Sequence, residues 1–493
     1  VHETPADLIL GYPTLSGVGL LPVLLQEDQF SAETESAEEV SELDNDDDLW
    51  AGQNPVLDRV QQTSCAHEDA DLWHEVSPGL DRNKYHMPKI GGPWWQRLKI
   101  AKLCVKYKEV FGPVVYGGSK LPPMDIKLKR DKDGNEMHPP PAKVRRFAPW
   151  ITELIKQDID MRIENGWYSK GTSRYASPIV PAKQPQKGPD HRRICVDYYG
   201  PNQCSEEIKY PVKNQAEVTA RLAGSQHYST MDCFKGYHQV RLTSFAQELL
   251  ACVTSFGQFK PLTGPYGFHG LPAFFTMAMT EKVLIGLEGY GVESFMDDIC
   301  AHSVTFEEHI LILEEVFIRF VKWDLRLSGP KTQLNFPDCV FLGHEVDGEG
   351  HRHKSSRIDT VMSMQRPYDK QQVKSFIGLV NYFREHLGHD FADLMAPISH
   401  LTKKGAAMNW TAQCEGNFEQ IKLRIHRNEK LYFLDYNLDI YLRCDASRLG
   451  CGAQLFQVVD GRERSIAYVS KTFSEAEQKW SVLEQELFAA FWA

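Results

Sequence analysis

The chain has 493 residues, of which 42% are hydrophobic, and a formal net charge of −11. That apolar content is enough for roughly two to four packed domains, which excludes a wholly disordered or collagen-like protein. The longest apolar stretch, near residues 15–25, is interrupted by glycines and Pro22, so the sequence predicts no membrane span.

The charge is unevenly distributed along the chain. Residues 1–80 hold 18 acidic residues and one basic residue, Arg59, so the remainder carries a net charge of +6. The segment from about 26 to 80 is polar and acidic, which predicts a disordered linker. The mildly basic remainder is compatible with binding to a phosphate backbone. Eleven cysteines without a C-x-x-C pair predict reduced thiols in an intracellular compartment.

Hydrophobic spacing and turn residues predict the secondary structure. The predicted helices cover 94–111, 150–165, 273–285, 306–323 and 371–384. The predicted strands cover 6–11, 176–182, 193–198 and 228–232, followed by a strand–turn–strand over 292–302. Because strands and helices interleave without a regular βαβ repeat, the pattern favours an α+β fold over a doubly wound sheet.

Three aspartates stand at predicted strand ends. Asp297 and Asp298 lie between apolar flanks at the tip of the predicted hairpin, and Asp232 ends the strand 228–232. Carboxylates between half-buried strands must be paired or hold a metal. Side by side they would form an all-oxygen site suited to Mg²⁺ or Mn²⁺. The alternative is an ordinary turn aspartate at each position, as in the solvated acidic run at 46–48.

Several sequence blocks resemble, in family order, the reverse transcriptases of gypsy-type LTR retrotransposons. The run "YSTMDCFKGYHQVRL" at 228–242 resembles polymerase motif A, and "GPYGFHGLPAFFTMAM" at 264–279 resembles motif B. The run "SFMDDICAHS" at 294–303 resembles the catalytic x-[YF]-x-D-D box, and "VFLGHEV" at 340–346 resembles the entry to the thumb. Further matches to the fingers and thumb extend the resemblance over roughly 139–425.

This resemblance implies an α+β right-hand polymerase of fingers, palm and thumb that copies an RNA or DNA template into DNA. Its partners would be an RNA template, a DNA primer and dNTPs. Asp232 and Asp297 would hold two Mg²⁺ ions, or Mn²⁺, with Asp298 in support. Those carboxylates would bring in cations that balance the charge on the transferred phosphoryl group.

The same resemblance assigns roles around the incoming nucleotide. Tyr237 would pack under the sugar and exclude a 2′-hydroxyl, although a core tyrosine is the plain alternative. Arg193 would grip the triphosphate, while Gly267 would let the backbone approach the nucleotide, with Tyr266 preceding it. Lys331 matches a lysine proposed to protonate pyrophosphate, or it is a solvated loop lysine.

The second phosphate contact is left open between two lysines of one loop. Lys183 and Lys187 both flank the connection between the strands predicted at 176–182 and 193–198. The family resemblance does not choose between them.

The two ends resemble other parts of the same polyprotein. The run "ADLILGYPTL" at 6–15 resembles the closing strand of an aspartic protease, but the chain has no D-[ST]-G triplet. The last segment resembles the start of a retroelement RNase H, in which Asp445 and Glu486 match two of about four required acids. We therefore expect a truncated RNase H-like α/β domain without activity. Each acid also fits an ordinary role, in a turn or on a solvated helix face.

The resemblance divides the chain into six predicted segments. They are a protease remnant at 1–25, an acidic linker at 26–80, an N-terminal extension at 81–138, fingers and palm at 139–345, thumb at 346–428 and partial RNase H at 429–493. Val1 and Ala493 are interpreted as cut ends. Localisation is expected to be cytoplasmic, or within virus-like particles, and the oligomeric state is left open.

Some positions depart from the family pattern. Phe295 replaces the commoner Tyr in the catalytic box, Cys233 replaces Leu, and Tyr199 stands where Arg is usual. None of these removes a metal ligand. They support an alternative in which the chain is a decayed remnant that binds nucleic acid without polymerising. A signalling cyclase, a third class, lacks support because its glycine-rich signature is missing.

Overall fold

The computed structural model describes residues 72–140, 142–184, 191–211 and 213–493. These residues form two compact units, the first within 72–218 and 225–337 and the second within 219–224 and 338–493. The predicted strand at 6–11, the protease remnant and most of the acidic linker lie outside the described residues.

The boundary of the predicted linker needs a correction. Residues 72–76 are helical, and Leu72 and Trp73 are buried in the core of the first unit. These are two large apolar side chains next to each other, and burying them stabilises the packed state. The packed chain therefore includes residues 72–80, which were predicted to be disordered.

The first unit contains two five-stranded sheets. Its strands, numbered in chain order, are β1 Lys89–Ile90, β2 Tyr168–Lys170, β3 Ser177–Lys183, β4 Arg192–Val196, β5 His227–Asp232, β6 Cys252–Thr254, β7 Gly257–Pro261, β8 Val292–Phe295, β9 Asp298–Ser303 and β10 Gln333–Phe336. Its α-helices are Trp94–Lys106, Pro149–Glu164, Tyr199–Cys204, Gln215–Ala220, Ser244–Leu249, Gly270–Ala278 and Phe306–Trp323, the fourth of which ends in the second unit.

One of these sheets, in the order β1-β10-β5-β9-β8, positions the aspartates. Strands β5 and β9 are antiparallel, with His227 opposite Ser303 at one end and Asp232 opposite Asp298 at the other. Every residue of β9 after Asp298 is buried, as expected for a central strand covered on both faces. Only its first residue reaches solvent, so the sheet presents its acids at one edge.

Helix Phe306–Trp323 packs on β9 and covers that sheet. Its buried positions recur every three or four residues, which places them on one face. Thr305 and Glu308 form a capping box that satisfies two backbone N–H groups at its start. The helix therefore supports β9 from one face of the sheet.

The other sheet of the first unit has the order β2-β7-β6-β3-β4. Strands β3 and β4 are antiparallel, and Arg193 on β4 lies opposite Ala182 on β3. Helix Pro149–Glu164 packs next to β2 and buries Ile155 and Ile159. This sheet carries the arginine that the sequence assigned to the triphosphate.

The second unit has a four-stranded sheet, a helical core and a three-stranded sheet. Its strands are β11 Cys339–Phe341, β12 His344–Val346, β13 Gly350–His353, β14 Leu431–Tyr432, β15 Tyr441–Ala446, β16 Gly450–Val459 and β17 Arg462–Thr472. Its α-helices are Ser355–Met362, Lys370–Asn381, Phe391–His400, Ala412–Arg427 and Val482–Trp492. Strands β11 to β14 pair in order, as do β15 to β17.

The sequence predicted the α+β class and several elements closely. The helix at 306–323 has the predicted bounds, whereas the helix predicted at 273–285 begins at Gly270 and passes into a π-helical turn, Met279–Val283. The helix predicted at 371–384 ends at Asn381 and is followed by a 3₁₀ turn, Arg384–His386. No helix in the described parts of the chain is long and apolar enough to cross a membrane.

The unit boundary also differs from the prediction of 345/346. Strands β11 and β12 belong to the second unit because they pair with each other and with β13. The chain passes from the first unit to the second after Pro337. The motif at 340–346 therefore opens the second unit and does not close the first.

Candidate active site

The three aspartates lie at the end of β5 and at the neighbouring tip of the β8–β9 hairpin. Asp232 lies directly opposite Asp298 in the β5–β9 register. The carbonyl oxygen of Asp297 accepts a hydrogen bond of 3.2 Å from the backbone N–H of Cys233, next to Asp232. Met296, before Asp297, has the left-handed backbone conformation with φ of 56°. The hairpin turn thus brings residues 65 positions apart in sequence to the same edge.

Electrostatics show that this edge is crowded with negative charge. Burial and the neighbouring Asp297 carboxylate raise the pKa of Asp298 to about 6, against an opposing effect of Lys331. Burial and all three aspartates raise the pKa of the Cys233 thiol well above its ordinary value. Burial and mutual repulsion make it unfavourable for all these carboxyl groups to be ionised together. A bound cation would offset that repulsion, so the cluster favours cation binding.

Lys331 is the cation next to this cluster. Its Nζ lies 3.7 Å from Oδ2 of Asp232, with about a third of its side chain exposed. The structure therefore places Lys331 beside Asp232. Its role as a proton donor stays a prediction.

The residues assigned to the nucleotide form a continuous contact chain. The ring of Tyr237 meets the rings of Tyr266 and Phe275 edge-on, with centroids 5.4 and 5.9 Å away. The Arg193 guanidinium lies 5.7 Å from the Tyr266 ring centroid. Burial, and after it the charge of Asp297, raises the pKa of Tyr237 to about 12. The structure thus links Arg193 to Tyr237 through Tyr266.

Gly267 is required by its backbone conformation. Its φ is 98°, which side chains with a Cβ rarely adopt. A Cβ there would meet Tyr198 and Val196 only at ordinary contact distances of 3.5 and 3.6 Å. The glycine is therefore explained by the turn it forms.

Asn202 holds that turn, and sequence reasoning missed it. Its Nδ2 donates to the carbonyl oxygen of Gly267 at 3.0 Å, and its Oδ1 accepts from the backbone N–H of His269 at 3.0 Å. The residue lies inside the block already matched to the fingers, but nothing in its spacing shows that it reaches a backbone 65 residues away.

Gln239 is a second missed residue. Its Oε1 accepts from the backbone N–H of Arg326 at 2.7 Å, while its Nε2 donates to the carbonyl oxygens of Phe234 and Arg326. These bonds fix the loop between Asp232 and Tyr237 against the segment that leads to Lys331. The signal that the sequence offered was a glutamine within motif A. The structure shows that this glutamine is buried.

The choice between the two loop lysines stays open. Lys183 ends β3, opposite Arg192, and is exposed. Lys187 lies outside the described residues.

The acids assigned to the RNase H-like segment lie in the second unit. Asp445 is exposed on β15, and Glu486 lies on helix Val482–Trp492, which packs next to β15. Burial and then Glu486 raise the pKa of the Cys444 thiol, beside Asp445. Burial raises the pKa of Asp393, with contributions from Asp390 and Asp445. Asp393 is therefore a third acid near Asp445 that the sequence did not single out.

Comparison with family models identifies both parts of the chain. Residues 162–346 match the reverse transcriptase (RNA-dependent DNA polymerase) family, and residues 410–493 match the RNase H-like domain found in reverse transcriptase. The first match contains all three aspartates and the nucleotide-binding candidates. The second contains Asp445 and Glu486.

The relatives are transposon polyproteins. The retrovirus-related Pol polyprotein from transposon 412 of Drosophila melanogaster is 26% identical over 80% of this chain and 32% of its own length. That from transposon 297 of the same organism is 28% identical over 69% of this chain and 32% of its own length. The Tf2-3 polyprotein of Schizosaccharomyces pombe is 26% identical over 71% and 26%. The chain thus spans about a third of the relatives it matches.

Solved structures show the same fold. The foamy viral protease–reverse transcriptase dRH in complex with double-stranded DNA has a TM-score of 0.71 at 24% identity, covering 86% of this chain and 71% of that one. The foamy viral protease–reverse transcriptase in complex with an RNA/DNA hybrid has a TM-score of 0.68 at 24% identity, covering 86% and 55%. The predicted α+β polymerase fold with an RNase H-like domain is confirmed.

These matches show that the chain contains a reverse transcriptase domain and an RNase H-like domain, and that it is similar to the Pol polyproteins of transposons.

Proposed function

We propose that this chain is an RNA-directed DNA polymerase that transfers a nucleotidyl group from a dNTP to a primer 3′-hydroxyl. The main support for this proposal is the β5–β9 register, in which Asp232 lies opposite Asp298 and next to the hairpin turn that holds Asp297. The contact chain from Tyr237, five residues after Asp232, through Tyr266 to Arg193 would supply the groups that contact the nucleotide.

The aspartates fit a pair of Mg²⁺ or Mn²⁺ ions. Their donors are all carboxylate oxygens, which hard divalent cations prefer. The raised pKa of Asp298 reflects burial and repulsion by Asp297, and a bound cation would offset both. Asp232 and Asp297 would hold the ions, with Asp298 in support. When bound, the ions activate the primer hydroxyl and neutralise charge on the transferred phosphoryl group.

The chain's own side chains supply the remaining functions. The Arg193 guanidinium binds the triphosphate through paired N–H donors. Tyr237 presents its ring under the sugar and leaves no room for a 2′-hydroxyl. Lys331, held 3.7 Å from Asp232, donates a proton to the departing pyrophosphate.

Template and primer are the expected macromolecular partners. The foamy viral structures hold double-stranded DNA or an RNA/DNA hybrid, and the net charge of +6 on residues 81–493 suits a phosphate backbone. Recognition is expected to follow the A-form shape of the hybrid and not its base sequence.

The RNase H-like segment of this polypeptide is proposed to be inactive. Of the roughly four acids that a two-metal nuclease site uses, the RNase H resemblance assigns two, Asp445 and Glu486. Release of labelled RNA fragments from a hybrid by this chain would overturn that proposal.

Primer extension on poly(rA)/oligo(dT) with Mg²⁺ or Mn²⁺ tests the polymerase directly. Extension that depends on the divalent cation is expected. Absence of extension with tight hybrid binding retained would instead establish the alternative, a decayed remnant that binds nucleic acid without polymerising.

A further inference from the structure

Four histidines of the second unit meet in one place, and we call them the histidine cluster: His344, His351, His353 and His386. His344 lies directly opposite His353 in the β12–β13 register. His351 is two residues before His353 on the same strand, so both side chains share one face. His386, in the 3₁₀ turn Arg384–His386, has its ring centroid 4.1 Å from that of His353.

The ring nitrogens lie at near-ligating separations. One nitrogen each from His344, His353 and His386 lies within 4.8 Å of the others, and no other group of histidine, cysteine or acidic side chains in the described ranges meets that distance. In a tetrahedral zinc site the ligand nitrogens are about 3.4 Å apart, so ring movements of about an ångström would close the site. The His351 ring centroid lies 5.2 Å from that of His344 and 5.3 Å from that of His386.

His353 and His386 are buried, His344 and His351 are half-buried, and most of the ring nitrogens have no hydrogen-bond partner among the described residues. His353 is 2% exposed and His386 is 7% exposed. Neither ring nitrogen of either residue has a hydrogen-bond partner within the part of the chain that the structure describes. The same holds for Nδ1 of His344 and of His351. Buried polar atoms are nearly always paired, so a group of unpaired ring nitrogens calls for a ligand.

The surroundings of these rings agree with ligation. Burial disfavours a charged imidazole, and the neutral imidazole is the form that binds metal. Phe383 packs edge-on against His353, with ring centroids 4.5 Å apart, and so limits access of water from that side.

We infer that His344, His353 and His386 form a binding site for Zn²⁺, with His351 or a water as the fourth ligand. Imidazole ligands without a carboxylate favour zinc or a similar transition metal over magnesium. The bound ion would tie the β12–β13 hairpin to the 3₁₀ turn that follows helix Lys370–Asn381. The site is structural and separate from the aspartates.

One nearby group opposes a cation. The Arg357 guanidinium lies 4.4 Å from the ring centroid of Tyr382, which packs against His353. Arg357 also contributes, after burial and the neighbouring histidines, to the lowered pKa of His353. Removing this charge should therefore increase the affinity for the metal, whereas removing a ligand should decrease it. The two kinds of variant test the site in opposite directions.

The test uses the full chain without a histidine tag, stripped by a chelator and then loaded with Zn²⁺ or with Co²⁺ as a visible probe. Expected results are one tightly held metal per chain and the visible absorption of four-coordinate cobalt, displaced by zinc. His353→Phe and His386→Phe, which keep a ring in place, should each weaken affinity by at least about tenfold. His400→Phe, at an exposed helix position, should leave it unchanged, and Arg357→Met should increase it.

Several outcomes would overturn the inference. A loaded wild-type chain without four-coordinate cobalt absorption has no such site, and undiminished absorption in His353→Phe places the metal elsewhere. A strong near-ultraviolet thiolate band would assign the metal to cysteines. If circular dichroism shows that a histidine variant is unfolded, the wild-type stoichiometry and the affinity of Arg357→Met decide the question.

Discussion

The aspartate edge of the first unit and the histidine cluster of the second use paired strands in opposite ways. At the aspartate edge, Asp232 and Asp298 are cross-strand neighbours that are partly open to solvent. In the cluster, His344 and His353 are also cross-strand neighbours, but His344 is half-buried and His353 is buried. Carboxylate oxygen donors at an open edge suit a cation that must reach a substrate. Imidazole nitrogen donors in a more buried place suit a cation that holds two segments together.

The largest expected effect comes from the aspartate edge. Asp297→Asn should lower the rate of primer extension by about a thousandfold or more, because a neutral amide does not balance a divalent cation. Hybrid binding should change little, since lysine and arginine contacts to phosphates dominate it. Single-nucleotide extension and hybrid titration measure the two quantities.

Asp160→Asn, at an exposed position on helix Pro149–Glu164, is the matched control and should extend normally. If Asp297→Asn extended primers at nearly the wild-type rate, the assignment of Asp297 as a metal ligand would be wrong.

Tyr237→Val should admit ribonucleotides, improving their use relative to dNTPs by about tenfold or more. The reason is loss of the ring that packs against Tyr266 and Phe275 and that, in the proposed function, blocks the 2′-hydroxyl. Competition between dTTP and UTP on the same template measures this selectivity. Tyr290→Val, at an exposed tyrosine of the first unit, should leave selectivity unchanged. Equal selectivity in both variants would make Tyr237 a core residue only.

Zinc should affect stability and leave the chemistry alone. A chelator selective for zinc over magnesium should lower the unfolding temperature, because a ligand bound only by the folded state stabilises it. Primer extension in magnesium at low temperature should persist. If zinc removal abolished extension while the unfolding temperature stayed constant, the assignment of zinc to stability and of magnesium to chemistry would be wrong.

The pH dependence of stability should reveal the crowding at Asp298. Its folded pKa of about 6 exceeds the ordinary 3.8, so its stabilising contribution is present below pH 4 and is lost as pH rises through 6. Asp298→Asn should therefore gain stability relative to wild type at pH 7 and less so at pH 4, as measured by urea unfolding without divalent ions. A difference that does not vary with pH would contradict the raised pKa.

The smallest effect concerns the helix behind the aspartate sheet. Thr305→Ala removes the hydroxyl that caps helix Phe306–Trp323 and should lower the free energy of unfolding by about 1 kcal/mol. Thr152→Ala, where the hydroxyl only bonds back to the carbonyl of Ala148, should cost less than about 0.5 kcal/mol. Chemical unfolding of both variants measures the contrast, and equal losses would show that the cap contributes nothing special.

The sequence predicted the acidic edge well because its signals are local. Asp232 ends an apolar strand, and Asp297 and Asp298 interrupt an apolar hairpin, so strand pairing alone brings them together. The bounds of the helix at 306–323 were equally clear, because its apolar residues recur every three or four positions along its whole length. In the structure a capping box begins this helix, and Asp324, in the left-handed conformation, ends it.

Contacts between residues far apart in the sequence could not be predicted. The histidine cluster joins a hairpin to His386, which follows a helix that ended three residues earlier than its periodicity predicted. Asn202 acts through the backbone of a turn 65 residues away. In both cases the partners are set by tertiary packing, which the spacing of residues does not encode.

The most direct test of the account is whether Asp232 and Asp297 share a cation. Fe²⁺ in place of Mg²⁺, with ascorbate and peroxide, cleaves the backbone near the bound iron. We predict cuts close to both Asp232 and Asp297 that magnesium suppresses. Cuts near only one of these aspartates, or near neither, would contradict the shared site.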